Sequence, residues 1–249
     1  MLIPQPHDAL HRAWLYRLLT AIADDSVLAS LLHFKGGTCA AMRGFIDRFS
    51  VDLDFELKDS QEITLSGKHL ERIFASLGLK RDDRSNVVPQ YFLKYSNPRG
   101  GRNSLRVDIT CPAPVSNTFE KVRFADIDRI LSAQTLPTLV ANKMVALMDR
   151  FERHGSIAGR DIYDIHQYLL KGYPFNSAVI EERRSTEVLH FLKELSDFIE
   201  KHITLTNLDE DLNPLLPPET FRQIRKTLKR ETILLLKDRI DSASCVFKK

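Results

Sequence analysis

The chain has 249 residues, 43% of them hydrophobic and 28% charged, with 10 glycines and 11 prolines. That balance excludes collagen-like, low-complexity and disordered classes and leaves room for one large core or two modest ones. Against 33 acidic residues stand 36 basic ones, a formal net charge of +3 that is too small by itself to mark a nucleic-acid partner, so a polyanion site has to be local.

No apolar run approaches the roughly 18–20 residues of a membrane span, and the densest, 233–236, is flanked by charge. The opening residues lack a basic stretch followed by an apolar one, which speaks against secretion. Cys39, Cys111 and Cys245 are scattered and form no C-x-x-C, which argues against a disulfide framework or a zinc site and fits a reducing cytoplasm.

Residues 9–32 place Leu10, Trp14, Leu15, Leu18, Leu19 and Ile22 at helical spacing, which predicts one or two amphipathic helices. Phe34-Lys35-Gly36-Gly37-Thr38 breaks that pattern, with Thr38 the expected N-cap of a short helix over 39–45. Val51-Asp52-Leu53-Asp54-Phe55-Glu56-Leu57 alternates acidic and apolar residues, the signature of a strand with one polar face. A helix over 70–77 ends at Gly78. Strands over 87–95 and 105–109, joined by Asn97-Pro98-Arg99-Gly100-Gly101, predict a hairpin.

From Pro137 the pattern turns helical. Leu139, Met144, Leu147 and Met148 form one apolar face, and Ile162, Ile165, Tyr168 and Leu169 the next. Residues 178–202 and 218–240 read as two long helices around a loop over 204–217, and no internal repeat is visible. The expected fold class is α+β, with an α/β domain over 1–130 and a helical domain over 131–249.

Asp52 and Asp54 are the sharpest chemical feature. Residues i and i+2 of a strand share a face, so the two carboxylates lie side by side. They repel unless a proton or a cation sits between them. Hard divalent ions such as Mg²⁺ are commonly held by one or two carboxylates plus substrate phosphates; a solvated acidic strand face is the plain alternative. Upstream, Gly36-Gly37-Thr38 can bring backbone close to phosphate, and a helix N-terminus attracts anions, although an ordinary turn and cap would look the same. A phosphate cradle and metal ligands within one short unit are what phosphoryl or nucleotidyl transfer requires. The 8 histidines include no H-E-x-x-H, and there is neither a G-x-S-x-G elbow nor a P-loop. Near the C-terminus, Arg222, Arg225, Lys226, Lys229, Arg230, Lys237 and Arg239 outnumber Glu231 and Asp238. They form either one basic face that tracks an RNA backbone or a solvated helix surface; Lys80, Arg81 and Arg84 add a smaller patch.

Lys35-Gly36-Gly37-Thr38 followed by Arg48-Phe49-Ser50-Val51-Asp52-Leu53-Asp54-Phe55 resembles the nucleotidyltransferase-like AbiEii/AbiGii toxin family, whose pattern is KGGT, a short helix, then R-x-S-x-D-L-D-F. Asn142-Lys143-Met144-Val145-Ala146-Leu147 leading to Arg160-Asp161-Ile162-Tyr163-Asp164-Ile165 is similar to the family's K-x-x-A-L and R-D-x-Y-D-L stretch. The resemblance covers about residues 30–170. It implies a DNA polymerase β-like nucleotidyltransferase core, in which a small mixed sheet carries the Gly-Gly turn and the Asp pair, followed by an α-helical C-terminal region. It implies the toxin of a bacterial toxin–antitoxin or abortive-infection pair, with a cognate antitoxin, NTP as substrate, Mg²⁺ (or Mn²⁺) as cofactor and, for some members, the acceptor end of tRNA as target.

On the matching positions, Asp52 and Asp54 would bind metal, and Lys35, Gly36, Gly37 and Thr38 would cradle the triphosphate. Arg48 and Ser50 would contact phosphate, with Arg48 equally an ion-pair partner for Asp52 or Asp47. Lys143 and Asp161 match functional positions, against the plain alternatives of a solvated helix lysine and an acid favoured at a helix N-terminus. A third carboxylate is expected on a neighbouring strand; Asp108 is the candidate, as metal ligand or general base, with Arg106 on its face as an alternative ion-pair partner. The chain departs from the family at Cys39-Ala40, where a bulkier apolar pair is commoner, and in lacking the Lys-Asp that often opens the N-terminal helix; neither removes a catalytic group. The resulting expectation is transfer of a nucleoside monophosphate from an NTP to an RNA 3′ hydroxyl, that of tRNA first. Nucleotidylation or phosphorylation of a protein such as the antitoxin, and a non-catalytic nucleotide-binding module, are the alternatives.

Overall fold

The structure, a computed structural model, describes residues 8–84, 89–98 and 100–246. The segment before Asp8, with Val87, Val88 and Arg99 of the expected hairpin, lies outside the described residues, as do the side chains of Arg84 and Cys245. The chain divides into two compact units, Met1–Ala113 with Asn117–Thr135, and Pro114–Ser116 with Leu136–Lys249.

In the first unit, Asp25 ends α1 (Ala9–Asp24) and starts α2 (Ser26–Leu31). Its carboxylate accepts from the N–H groups of Val27 at 3.1 Å and Leu28 at 3.0 Å, which caps the new helix. Leu32 then belongs to β1 (Leu32–Lys35) and not to the helix expected over 9–32. The four residues Leu-His-Phe-Lys alternate apolar and polar side chains, a signal too short to stand out beside a helical run. The next helix, α3 (Gly36–Met42), begins at the first glycine, so Thr38 lies inside it and is not its N-cap. The Thr38 hydroxyl instead meets the Asp52 carbonyl and the Ser50 hydroxyl, the latter at 3.0 Å.

The unit continues through β2 (Asp52–Leu57), α4 (Ile63–Ser76), β3 (Lys80–Arg84), β4 (Gln90–Lys94), β5 (Ser104–Thr110), β6 (Phe119–Phe124) and β7 (Arg129–Gln134). The helix expected over 70–77 starts earlier, and Gly78 follows its end at φ +68°. The strands form one seven-stranded sheet in the order β3-β4-β5-β2-β1-β7-β6. β2 with β5 and β1 with β7 run parallel and the remaining pairs antiparallel. This is the mixed sheet of the expected α+β class, but larger, because β1, β3, β6 and β7 were not anticipated. β3 and β6 are edges, and edge strands carry charge that blunts their outer hydrogen-bonding groups. Arg81, Glu120, Lys121 and Arg123 accordingly hide the apolar alternation.

Phe34, Leu53, Phe55, Val107, Ile109 and Leu93 are buried in the unit's core with Leu15, Leu18, Ile22, Leu28, Leu70 and Phe74 from the helices. The Phe34 ring lies 5.4 Å from both Phe55 and Phe124. Each such side chain contributes about 1.5–3 kcal/mol by leaving water.

One polar group sits deep in this unit. His11 is 1% exposed, with Nδ1 at 2.9 Å from the Tyr95 hydroxyl and Nε2 at 2.9 Å from the Val51 carbonyl. Burial pushes its pKa down from 6.5 to about 4, against the opposing bond to Val51. The unfolded chain therefore takes up this proton near pH 6.5 and the folded chain only near pH 4. Stability from His11 is complete above pH 6.5 and declines by about 3 kcal/mol as pH falls to 4. Urea unfolding between pH 7 and 4 should show a steeper loss for wild type than for His11→Asn; parallel slopes would contradict this.

The second unit is helical: α5 (Leu136–His154), α6 (Gly159–Leu170), α7 (Ser177–Arg184), α8 (Val188–His202), α9 (Leu205–Leu212), α10 (Pro218–Ile224) and α11 (Leu228–Val246). Both long helices of the expectation are broken. Ser185, at φ +51°, ends α7, and the chain is not helical between α10 and α11. The loop expected over 204–217 contains α9, started by a capping box in which the Thr204 hydroxyl and the Asn207 side chain satisfy each other's backbone N–H.

Of the two readings open for the basic C-terminal stretch, a single basic face does not hold for three of its cations. Arg225 pairs with Asp209, and Arg239 donates to the Tyr173 carbonyl at 3.2 Å. Lys229 caps the end of α8 through the carbonyls of Glu200 at 2.6 Å and Ile203 at 2.9 Å. These cations hold the helices of their own unit together. Among the described residues no helix is long and apolar enough to cross a membrane.

Candidate active site

The strand registers of the first unit gather most of the candidate residues. Lys35 on β1 lies opposite Asp54 on β2, and on β5 Arg106 lies opposite Asp52 and Asp108 opposite Asp54. Residues two apart in a strand share a face, so Lys35, Asp52, Asp54, Arg106 and Asp108 project from the same side of the sheet. Strands are about 4.8 Å apart and alternate residues about 7 Å apart along a strand. Asp52, Asp54, Arg106 and Asp108 thus stand at the corners of a small rectangle.

The turn from β1 into α3 closes over this face because Gly36 has no side chain. Its φ is +76°, a conformation that L side chains rarely adopt. A Cβ there would lie 2.2 Å from Asp54 Oδ2, so the Asp54 carboxylate occupies the space that a side chain would need. At Gly37 a Cβ would lie 2.9 Å from Ser50 Oγ and 3.0 Å from Arg48 Nη2. Ser50 and the buried Arg48 thereby close on the first turn of α3, while Thr38 ties Ser50 to the backbone of Asp52. Lys35 reaches over β2 to donate from Nζ to Thr110 Oγ1 on β5 at 2.6 Å. The Gly-Gly turn, the 48–50 segment and the acidic strand are one connected assembly.

Asp108 is held on both sides. Gln90 Nε2 on β4 donates to its Oδ1 at 2.8 Å, and Arg106 pairs with its Oδ2. The ion-pair alternative raised for Asp108 is therefore present. Burial alone would lower the Arg106 guanidinium, but the bond to Asp108 and the negative charges of Asp108, Asp52 and Asp54 raise it. Arg106 also lies 6.0 Å from the Phe92 ring centroid, and its Nε is buried without a hydrogen-bond partner.

Among the described residues no three His, Cys, Asp or Glu side chains converge on a metal-sized site. Asp52 and Asp54, one step apart on the face, offer an all-oxygen pair of the kind that holds a hard divalent cation whose other ligands are phosphate and water. The residues present thus fit Mg²⁺ or Mn²⁺ as a two-carboxylate site.

Glu56 follows Asp54 on the same face and was not singled out in the sequence. It is 1% exposed and accepts from Asn117 Nδ2 at 2.8 Å and from Gln134 Nε2 at 2.8 Å. The polar face is therefore closed at this end. The alternation that marks Asp52 and Asp54 already contains Glu56, but its amide partners come from a distant segment and a strand that carried no local signal.

Lys143 and Asp161 belong to the second unit and form a buried cluster there. Lys143 Nζ is 2.7 Å from Asp161 Oδ1 and 3.1 Å from Asp164 Oδ2, while Arg150 Nε is 3.5 Å from Asp161 Oδ2. Burial works to raise the Asp161 carboxyl, but the charges of Lys143, Arg150 and Arg160 hold it below the ordinary carboxylate range. Lys143 is thus no solvated helix lysine, and Asp161, though in the first turn of α6, answers to more than the helix dipole. Removing one partner of a buried pair leaves a charge uncompensated. Lys143→Met should lower unfolding stability by about 3 kcal/mol in chemical denaturation; wild-type stability would contradict the pairing.

The mixed sheet with its Gly-Gly turn packed on a D-x-D strand matches the nucleotidyltransferase core that the sequence resemblance implies. Solved structures share the fold, among them the three that follow. A protein described as a nucleotidyltransferase from H. pylori aligns with a TM-score of 0.62 at 16% identity, over 97% of this chain and 98% of its own. JHP933 from Helicobacter pylori has a TM-score of 0.58 at 16% identity over 99% and 98%. MenT4, a nucleotidyltransferase toxin of Mycobacterium tuberculosis H37Rv, has a TM-score of 0.58 at 15% identity over 93% and 84%. No curated protein matches the sequence. Residues 17–243 match the family described as nucleotidyl transferase AbiEii toxin of type IV toxin–antitoxin systems, and the chain belongs to that family. It is a nucleotidyltransferase toxin, with an NTP as substrate and an antitoxin as partner.

Proposed function

We propose that this toxin acts in the cytoplasm, depends on Mg²⁺ (or Mn²⁺), and transfers a nucleoside monophosphate from an NTP to the 3′ hydroxyl of an RNA, with tRNA the favoured acceptor. The observation that carries the reading is the contact of the Asp54 carboxylate with Gly36, which joins an acidic strand to an anion-binding turn. Asp52 and Asp54 would hold the cation, which when bound neutralises charge on the phosphate oxygens during in-line displacement. Backbone N–H groups at Gly36 and Gly37 and the Lys35 ammonium would hold the triphosphate. Thr38, Arg48 and Ser50 would keep that turn in shape against the strand, and Asp108 would order the neighbouring strand's side chains.

In the transfer, the acceptor oxygen forms a bond to the α-phosphorus. The bond from that phosphorus to the α,β-bridging oxygen breaks, pyrophosphate departs, and the hydroxyl proton passes to water. Four exposed cations of the second unit, Arg222, Lys226, Arg230 and Lys237, supply positive charge of the kind an RNA acceptor would meet.

Incubation with each α-³²P-labelled NTP, Mg²⁺ and total tRNA should place label on RNA. Label on protein alone would move the activity to a protein such as the antitoxin, and no label on either would overturn the proposal.

A further inference from the structure

The acidic face carries counter-charges of its own. Arg106 stands opposite Asp52 in the β2–β5 register, diagonally across from Asp54. Its contact with Asp108, together with Gln90, engages both oxygens of the carboxylate that would otherwise complete a three-acid site. Lys35 approaches from the other flank and sets its ammonium on Thr110. Together Arg106 and Lys35 bring the two positive charges that one divalent ion would bring.

Resting on the nucleotidyl-transfer reading above, we propose that this active site works with a single divalent cation, on Asp52 and Asp54, and that the Arg106 guanidinium, braced by Asp108 and Gln90, replaces a second cation against the substrate phosphates. Lys35 is the supporting charge. In this account Asp108 is a positioning residue that acts through Arg106.

Three observations converge on this. Asp108, the carboxylate placed to join the Asp pair, is engaged through one oxygen by Gln90 and through the other by Arg106. The Arg106 side chain is 35% exposed, so it is anchored at one end and open to a ligand at the other. The guanidinium has five N–H donors in a flat fork that matches phosphate and stays charged at every working pH. The contact with Asp108 and the place opposite Asp52 hold it in position before substrate arrives.

The test counts metal directly. Mn²⁺ binding to the wild-type chain, followed by electron paramagnetic resonance with a non-hydrolysable α,β-methylene NTP present, should titrate to one ion per chain; two tightly held ions overturn the proposal. Arg106→Gln should keep the count at one and weaken analogue affinity about 10–100-fold, the loss expected for a charge-assisted phosphate contact. Arg106→Lys should recover part of it, which separates lost charge from a misfolded strand. A second Mn²⁺ gained by Arg106→Gln with analogue affinity unchanged would show that the arginine merely occupied a metal site, and would overturn the proposal. One Mn²⁺ and tight analogue binding without label transfer to RNA or protein would sink the transfer reading while supporting the single-cation site. Transfer with two Mn²⁺ would do the reverse, and no analogue binding at all would overturn both.

Discussion

Asp54→Asn is expected to lower nucleotidyl transfer about 10³-fold while leaving the protein about as stable as wild type. The side chain keeps its shape against Gly36, where the available space is set by an approach of 2.2 Å to a hypothetical Cβ, so packing is preserved. What disappears is one negative charge from a face where Asp52, Asp54 and Asp108 stand close together. Repulsion from Asp52 and Asp108 and attraction to Lys35 and Arg106 act on that charge in opposite directions. Removing it changes stability little and at the same time removes a ligand for the cation. Loss of activity with stability retained is thus the signature of a catalytic acid. It is read by initial rates on labelled NTP beside a thermal melt. Activity within tenfold of wild type, or a loss that tracks a lowered melting temperature, would count against Asp54.

Gly36→Ala should fail for a different reason. The substitution places a methyl carbon where the Asp54 carboxylate already lies and demands φ +76° of an L residue. The backbone conformation alone costs about 1–2 kcal/mol. Relief of the overlap requires the Asp54 side chain or the turn to move, and displacement of a reacting group by about 1 Å can cost 10²-fold in rate. The variant should therefore lose both stability and about 10²-fold in activity. Gly78→Ala is the matching control: its φ is +68°, but nothing lies within 4 Å of the added carbon. It should show the backbone cost in a urea melt with transfer rates unchanged. Equal activity for the two alanine variants would mean that the Gly36–Asp54 contact does not matter for chemistry.

The parts of this site visible in the sequence are those that local rules encode. Strand alternation places Asp52 beside Asp54, and two adjacent glycines announce a backbone that must approach something closely. The pairing of Arg106 with Asp108 was open as an alternative because both lie on one strand. That Arg106 faces Asp52, and that Lys35 crosses β2 to Thr110, depends on strand registers between segments far apart in the chain. No short window contains that information. Thr38 misled for a related reason: Gly36 adopts the turn itself, so the helix starts before the residue whose type suits a cap, and the hydroxyl is used across to Ser50 and Asp52. Edge strands β3 and β6 were hidden by the charges that protect them. In the second unit, the apolar periodicity ran through Ser185 and past Arg225, where backbone geometry and not hydrophobicity breaks the helices.

Comparison of α-labelled with γ-labelled NTP tests the central claim most directly. If the site transfers a nucleoside monophosphate, label from the α-phosphate stays on the acceptor and label from the γ-phosphate leaves as pyrophosphate, both dependent on Asp54. Retention of γ-label on any acceptor, with α-label remaining in free nucleotide, would contradict nucleotidyl transfer by this site.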